Sequence, residues 1–422
     1  MAVLLSVFLV CLAIGLPIAF GMLFATGAAM TANGFNIIAM SQKLLTGMDS
    51  LPLLAVPGFI LAGELMTKGG LCGRIIRVCD TLIGHKRNGL SIVTIVAGMF
   101  FSAMNGVAAA TTAAIGEIMI PEMEKKGYAR EYVAGISAVV GPLGPIIPPS
   151  VIMIIYAVGG GVSVGDLFLA GIVPGILLGC ALIAYSFYAT RNMPLKVEEK
   201  ATFKDFLNAF KEAFFSLMTP VIILGGIYGG FCTPTEAAVI AVFYSLFVGA
   251  VVHKELGWKE IKLSLVNTLH TSAMVMLIIG AASAFGWMVT VTNISRVIAS
   301  AILSVTTSKA LILFLICLAL VAIGCVMDTI SAIVVFQTVF IPIAAGINMD
   351  MLHFAALFIV IIAIGNATPP FGYSLFVAAK ISNSPLEKVS KSVLPMVGCM
   401  LAVCILLAIF PSLSTFIPYA MK

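Results

Sequence analysis

Long apolar stretches separated by short polar turns run along almost the whole chain. Apolar segments of membrane-spanning length include 168–188, 237–252 and 393–410, and the first charged side chain is Lys43. A spanning helix needs about 20 predominantly apolar residues, because the hydrocarbon core of a bilayer is about 30 Å thick. This pattern predicts an all-α polytopic membrane protein, and the apolar N-terminus is predicted to be a retained first helix rather than a cleaved signal.

The hydrophobic pattern repeats once along the chain at a constant offset. Ile120-Pro121 recurs as Ile341-Pro342 and Pro148-Pro149 recurs as Pro369-Pro370, so one offset of 221 residues relates both pairs. Internal repeats of this kind are the usual ground plan of secondary transporters, which bind their substrates where the repeats meet. We predict that the two halves are inverted, because broken helices from both would then face one another near the middle of the membrane.

Each half is predicted to contain scaffold helices, a re-entrant helical hairpin and a broken helix. The first half is 1–212, with hairpin 1 around 90–120 and a broken helix at 131–158. The second half is 213–422, with hairpin 2 around 310–342 and a broken helix at 352–380.

Four polar interruptions break the apolar runs of these hairpins and helices, at 102–112, 141–150, 324–331 and 365–374. Backbone groups exposed to lipid are costly, so a helix breaks at membrane depth only where the freed groups face protein, water or a ligand. Proline removes backbone donors, and we expect the carbonyls of Gly141 and Gly144 to lack partners. The alternative is that glycine and proline merely kink the helices, as they do in many membrane proteins.

The four interruptions are rich in oxygen atoms that can bind a monovalent cation. Freed carbonyls together with Ser, Thr, Asn and Asp oxygens provide several ligands without a full set of charges. One hairpin tip and one broken helix in each half therefore predict two cation sites. Helix N-termini at the breaks would direct positive ends at the cleft, which suits a carboxylate substrate. Candidate substrate contacts are Thr111, Ser150, Asn366, Gly372 and Tyr373.

Acidic residues within apolar sequence are the sharpest single candidates. Asp328 is an ionisable group in a membrane segment and is a functional hypothesis by default, with a turn cap as its alternative. Glu236 follows Thr233 by three residues, with proline at the first helical position, which indicates a helix start with a capping box. Glu64 and Glu117 lie near the ends of apolar runs, where exposure at the membrane interface is the simpler interpretation.

Composition and charge narrow the class of protein further. Hydrophobic residues make up 61% of the 422 residues and charged residues only 10%, which is far from the composition of soluble domains. The net charge of +5 is modest and does not indicate nucleic-acid binding. Basic residues cluster at 85–87 and 191–211, and both stretches are predicted to be cytoplasmic.

The nine cysteines and four histidines do not form a chemical site in the sequence. The cysteines lie mostly in apolar segments without a Cys-x-x-Cys pair, so we interpret them as packing residues rather than disulfide or metal ligands. The histidines show no metal spacing and no partnered nucleophile, which an intramembrane enzyme would need. A path for a solute therefore fits better than catalysis.

Five motifs together resemble a known transporter family. They are Pro-Gly-Phe-Ile-Leu-Ala-Gly-Glu-Leu-Met at 57–66, Pro-Ile-Ile-Pro-Pro-Ser at 145–150, Phe-Cys-Thr-Pro-Thr-Glu-Ala at 231–237, Gly-Cys-Val-Met-Asp at 324–328 and Thr-Pro-Pro-Phe-Gly at 368–372. In this order they resemble the large membrane (M, DctM-like) subunit of tripartite ATP-independent periplasmic (TRAP) transporters. The resemblance covers essentially the whole chain.

The resemblance implies a bacterial inner-membrane Na⁺ symporter of the elevator type, with a fold like that of the ion transporter superfamily. Its scaffold part would stay still while a transport part of two hairpins and two broken helices moves. Two partners are implied: a small four-helix membrane (Q) subunit, expected to be a separate chain, and a soluble periplasmic substrate-binding (P) protein. The substrate would be a small organic acid, such as a C4-dicarboxylate or sialic acid, with Na⁺ as the coupling ion.

The resemblance also assigns residues to the two cation sites. The first would contain Ser102, Asn105, Gly141, Gly144 and Pro145, and the second Gly324, Met327, Asp328, Thr329, Gly365 and Thr368. The first tip departs from the family pattern, since Asn-Gly-Val stands at 105–107 where Ser-Gly-Ser is expected. Two alternatives remain: a stand-alone ion-coupled anion transporter of similar fold without a binding protein, and an intramembrane enzyme.

Overall fold

A computed structural model describes residues 2–197, 199–294, 297 and 308–421 of the chain. The secondary structure of these residues is helical, which confirms the all-α prediction. The first five helices are α1 (Ala2–Ala13), α2 (Ile18–Ala32), α3 (Ile38–Met48), α4 (Ala55–Lys68) and α5 (Leu71–Cys79). They are followed by α6 (Gly89–Asn105), α7 (Ala108–Lys125), α8 (Arg130–Val140), the single turn α9 (Leu143–Ile146), α10 (Val151–Gly160) and α11 (Val164–Thr190).

The remainder of the chain repeats this succession of long, paired and broken helices. Three long helices come first: α12 (Phe203–Tyr228), α13 (Pro234–Phe247) and α14 (Trp258–Val291). The last six are α15 (Lys309–Val326), α16 (Thr329–Gly346), α17 (Met351–Gly365), α18 (Tyr373–Ile381), α19 (Leu386–Ile409) and α20 (Ser412–Ala420). The predicted boundary between halves at 212 and 213 was wrong in one respect, because it cuts the continuous helix α12.

Many of these helices are long and apolar enough to cross a membrane. Within the described residues eight helical segments meet that description, and a bent pair formed by Arg130–Ile146 and Val151–Gly160 adds a ninth span with a 45° bend. Shorter apolar helices include Gly89–Asn105 and Met351–Gly365, which belong to a hairpin and to a broken helix. The chain is therefore a multi-pass membrane protein.

The sequence repeat is also a repeat of helices. Helix α7 and helix α16 begin 221 residues apart and end 221 residues apart, and the same separation holds for the ends of α6 and α15. The Pro148-Pro149 and Pro369-Pro370 peptide bonds are both cis. The inversion of one half relative to the other stays a prediction.

The helices form two packed groups. The peripheral group comprises α1–α5 and α12–α14, in which α4 packs on α13 and α14, and α14 also packs on α2 and α3. The hairpin group comprises α6–α11 and α15–α20 and contains both helical hairpins, α6–α7 and α15–α16. The two groups meet where α6 and α10 pack on α4 and where α16 packs on α14.

Within the hairpin group, each broken helix packs against the hairpin of the other half. The second arm of the first broken helix, α10, packs on α16 of hairpin 2. The corresponding arm of the second broken helix, α18, packs on α7 of hairpin 1 and on α8. Residues from both halves therefore meet at the centre of the molecule.

Helix α13 begins with the capping box that the sequence predicts. The Thr233 hydroxyl accepts a hydrogen bond from the Glu236 N–H at 3.3 Å, and the Glu236 carboxylate accepts one from the Thr233 N–H at 2.7 Å. Pro234 occupies the first helical position, where no backbone donor is needed. Glu236 is therefore accounted for as a helix cap.

Glu236→Gln is expected to leave stability and uptake close to wild type, because glutamine also closes a capping box. Thr233→Ala is expected to lower the free energy of unfolding by about 1 kcal/mol, a typical loss for an N-cap hydroxyl. Thermal unfolding and solute uptake of both variants would check this. Loss of uptake in a stable Glu236→Gln variant would show that the carboxylate does more than cap the helix.

Candidate functional site

The tip of hairpin 1 lies directly against the first broken helix. Gly106 turns the chain between α6 and α7 with a φ of +66°, a conformation that glycine adopts without strain. A Cβ at Gly106 would lie 3.0 Å from the Val151 nitrogen and 3.2 Å from the Ser150 Cα. A Cβ at Gly144 would lie 3.1 Å from the Val107 carbonyl carbon. Backbone atoms of the tip and the break are thus in contact.

The polar residues of this tip point in different directions. Ser102 is fully buried, and its Oγ has no hydrogen-bond partner among the described residues. Asn105 is buried against the peripheral group, since a Cβ at Gly63 of α4 would lie 2.9 Å from the Asn105 Oδ1. The structure therefore brings Ser102 near the break but places Asn105 at the contact between the two helix groups.

The first break retains more backbone pairing than the sequence suggests. The carbonyl of Gly141 was expected to lack a partner, but it accepts a hydrogen bond from the Gly144 N–H at 2.9 Å. The turn α9 brings that N–H back over the break and so satisfies the carbonyl. The Pro145 carbonyl accepts a hydrogen bond from the Ser150 hydroxyl at 2.8 Å.

The tip of hairpin 2 approaches the second broken helix even more closely. A Cβ at Gly365 would lie 2.5 Å from the Gly324 Cα and 3.0 Å from the Cys325 nitrogen. Next to this contact, the Asn366 amide donates a hydrogen bond to the Thr329 hydroxyl. The Asn366 Oδ1 is buried and has no hydrogen-bond partner in the described part of the chain. Four of the predicted residues of the second site thus lie together.

Asp328 occupies the turn of hairpin 2 and is exposed in the isolated chain. It is the N-cap of α16, where its carboxylate accepts a hydrogen bond from the Ser331 N–H at 3.0 Å. The expectation that this carboxylate lies deep in apolar surroundings was wrong, because the hairpin turn carries it to the surface. Met327, the residue before it, is half-buried, and its N–H donates to the Ile323 carbonyl at 3.0 Å.

The five candidate substrate contacts differ in exposure. Thr111 is buried, and its hydroxyl donates to the Val107 carbonyl at 3.1 Å. Ser150 is buried and caps α10, whereas Asn366 is buried against Thr329. Gly372 immediately precedes α18, and the Tyr373 side chain after it is 54% exposed. Thr368, predicted for the second cation site, donates its hydroxyl hydrogen bond to the Ile364 carbonyl at 2.9 Å.

A cavity between the two helix groups was not expected from the sequence. It has a volume of about 490 Å³ and lies between α3 and α14 on one side and α10 and α16 on the other. Its polar lining consists of Thr46, Ser50, Ser283, Thr290, Gln337 and Thr338. Among the described residues that line it, none is charged.

Gln337 is the most distinctive side chain of this cavity. It is 5% exposed, and its Oε1 has no hydrogen-bond partner among the residues that the structure describes. A buried amide without a partner is costly, so such groups call for a ligand or water. A lone amide within the apolar helix α16 was the signal in the sequence that could have identified it.

Comparison with known proteins identifies the family. A family model described as the DctM component of tripartite ATP-independent periplasmic transporters matches residues 5–413. The chain belongs to the DctM family. It is thus the large membrane permease of a TRAP transporter, which confirms the resemblance read from the five motifs.

Curated relatives of this DctM-family chain are transporter permeases. The isethionate TRAP transporter permease protein DctMQ of Oleidesulfovibrio alaskensis is 41% identical over 416 residues, which cover 98% of this chain and 66% of that protein. The sialic acid TRAP transporter large permease SiaM of Vibrio cholerae is 34% identical, over 96% of this chain and 95% of that one. The C4-dicarboxylate large permease DctM of Pseudomonas aeruginosa is 35% identical, over 91% and 90%.

A solved structure supports the fold. The YdaH transporter of Alcanivorax borkumensis aligns with a TM-score of 0.66 over 88% of this chain and 87% of that one, at 13% sequence identity. Because the DctM relatives are permeases, this chain is a secondary transporter subunit and not an enzyme. Membership in a tripartite family implies two partners, a small membrane protein and a periplasmic binding protein.

Proposed function

We propose that this chain is the Na⁺-coupled symporter subunit that imports a small organic acid across the bacterial inner membrane by an elevator movement. The observation that carries the proposal is the contact of each hairpin tip with a broken helix, at Gly106–Ser150 in one half and at Gly324–Gly365 in the other. Such junctions between repeats are where secondary transporters bind their ions and solutes.

Unpartnered oxygens at these junctions support cation binding. Ser102 Oγ near the first break and Asn366 Oδ1 at the second are buried without a hydrogen-bond partner among the described residues. Leaving a buried polar group unsatisfied costs about 1–3 kcal/mol, and a Na⁺ ion would satisfy such acceptors. The only carboxylate at either predicted site is Asp328, so a monovalent ion suits these ligands better than a divalent one.

The cavity lined by Gln337 supports a path for an organic anion. Its volume of about 490 Å³ falls in the usual range for small-molecule sites, and hydroxyl and amide groups line it. The printed substrates of three relatives are isethionate, sialic acid and C4-dicarboxylates, all small organic anions. Hydroxyl and amide donors bind a carboxylate or sulfonate without a fixed positive charge that would hinder release.

Small residues at the contact between the two helix groups support an elevator movement. A Cβ at Gly286 of α14 would lie 2.9 Å from the Thr338 Cγ2 of α16, and Gly63 of α4 meets Asn105 of α6 in a similar way. Small residues let membrane helices approach closely without interlocking side chains. The hairpin group could therefore move as a transport part along the peripheral group, which would act as the scaffold.

Reconstitution tests the proposal. The full chain, its small membrane partner and its binding protein are placed in liposomes with isethionate, sialic acid or succinate outside. We expect uptake of one of these anions that requires both an inward Na⁺ gradient and the binding protein. Equal uptake by the chain alone would favour the stand-alone transporter instead, and uptake that ignores the Na⁺ gradient would refute the coupling.

Gln337→Leu is expected to raise the KM for the transported anion about tenfold, because a hydrogen bond to a charged group contributes about 1.5–3 kcal/mol. Uptake at several anion concentrations measures the effect. The control is Gln42→Leu, the same substitution at an exposed position of α3, which should leave KM unchanged. Equal KM values in both variants would remove Gln337 from the solute path.

A further inference from the structure

Three oxygen atoms converge beside Gly141, at the end of α8. A Cβ at this residue would be in direct contact with the Thr112 Oγ1, 2.8 Å from the Ala108 carbonyl oxygen and 2.9 Å from the Ser374 Oγ. Only glycine leaves this space open, because any side chain would fill it. The small cradle is therefore lined by two hydroxyls and one carbonyl.

Both hydroxyls in the cradle lack a partner. Thr112 and Ser374 are each 0% exposed, and neither side-chain oxygen has a hydrogen-bond partner within the described part of the chain. One unsatisfied buried hydroxyl costs about 1–3 kcal/mol, so two at a single point are an unusual expense for a packed interior. An occupant that bonds to both would remove that expense.

The cradle joins the two halves of the protein. Thr112 lies on α7 of hairpin 1, Gly141 lies in the first break, and Ser374 lies in the first turn of α18 from the second half. Packing of α18 on α7 and α8 brings the three together. The position differs from both hairpin tips, since the tips meet the breaks at Gly106 and at Gly324.

The chemistry of the cradle favours a cation over an anion. The Ala108 carbonyl can only accept, so it would repel an anion placed between the two hydroxyls. Helix α8 ends at Val140, and the carbonyl end of a helix carries a partial negative charge. Pro142 has no N–H to pair with the Ala138 carbonyl in that last turn. The positive end of α18 opposes a cation, although the Ser374 N–H is already bonded to the Asn366 carbonyl at 3.0 Å.

We infer that Thr112, Ser374 and the Ala108 carbonyl form a third monovalent-cation site beside Gly141, separate from the two predicted at the hairpin tips. The inference rests on the proposed Na⁺ coupling. A neutral set of hydroxyl and carbonyl ligands suits Na⁺, which needs several oxygens but no full charge. Because both halves supply ligands, an ion here would tie the second broken helix to hairpin 1.

Direct Na⁺ binding tests the third site without a solute. The full chain in lipid nanodiscs is equilibrated with radioactive Na⁺, with choline chloride holding the ionic strength constant. The double variant Thr112→Val with Ser374→Ala is expected to lose one class of bound Na⁺ or to bind it about tenfold more weakly, as metal sites do when ligation is disturbed. Thr112→Ser keeps the hydroxyl and should bind as wild type does.

Matched controls separate ligation from packing. Thr190→Val and Ser245→Ala remove buried hydroxyls that donate to their own helices, at Ser186 and Ala241, and should not alter Na⁺ binding. If the double variant fails to fold, Ser374→Ala alone is measured and must still weaken Na⁺ binding.

The outcomes distinguish this site from the proposed coupling. Unchanged Na⁺ binding in a folded double variant, with binding lost in a hairpin-tip variant, means that the cradle holds water only. The third site would then be wrong while the proposed function stands. No saturable Na⁺ binding by the wild type would overturn both.

Discussion

Asp328→Asn is expected to reduce Na⁺-driven uptake by about 10–100-fold while leaving the protein folded, a range typical when metal ligation is disturbed. Asparagine is as good an N-cap as aspartate, so α16 would keep its first hydrogen bond to the Ser331 N–H. The variant therefore removes the charge of the carboxylate and little else. Uptake driven by a Na⁺ gradient, together with thermal unfolding, measures the two effects separately.

Asp328→Ala is the companion variant, because it removes both the cap and the charge. We expect it to lose uptake as well and to unfold more easily, by about 1 kcal/mol for the lost cap. Unfolding can be followed with a thiol-reactive dye, since buried cysteines such as Cys72 and Cys404 become accessible. Wild-type uptake in Asp328→Asn with a defect only in Asp328→Ala would mean that Asp328 serves as a cap alone.

Gly365→Ala is expected to abolish uptake and to destabilise the chain by at least about 1–3 kcal/mol, the usual penalty for overpacking. Its new Cβ would lie 2.5 Å from the Gly324 Cα and 2.6 Å from the Gly324 carbonyl carbon. These are backbone atoms, which cannot turn aside as a flexible side chain can. The tip of hairpin 2 would have to separate from the second broken helix and open the predicted cation site.

Gly398→Ala provides the matched control for this prediction. Gly398 also lies in a membrane helix, α19, but a Cβ there would meet no atom within 4 Å. The substitution should be neutral or slightly stabilising, because alanine favours helix more than glycine does. Thermal unfolding and uptake of the two variants form one comparison. Equal behaviour of both would show that the Gly324–Gly365 contact is not required for transport.

The two halves solve the hairpin turn differently, although their helices repeat at one offset. Hairpin 1 turns at Gly106 in a left-handed conformation, whereas hairpin 2 turns at Met327 and Asp328 and caps α16 with a carboxylate. If both predicted tip sites bind Na⁺, only the second has a fixed negative charge nearby. The Asp328 and Thr112 variants should therefore affect different bound ions.

Local features of this protein were readable in the sequence. The apolar runs gave the helical membrane class, and the five motifs gave the family. The Thr233 to Glu236 spacing gave the capping box, because a cap depends only on residues within one turn. The positions of the polar interruptions followed from proline and glycine, which act on the backbone where they stand.

Contacts between distant segments were decided only by the tertiary structure. The sequence could not show that Ser374 reaches Thr112 and Gly141, since that depends on how α18 packs against α7 and α8. It also misjudged Asp328 and the Gly141 carbonyl, because the surroundings of a group depend on which helices cover it. Hydrophobic periodicity records which face of a helix is buried, but not which neighbour buries it. The sequence alone thus determined the helices, their breaks and the family, and helix packing determined which oxygens meet.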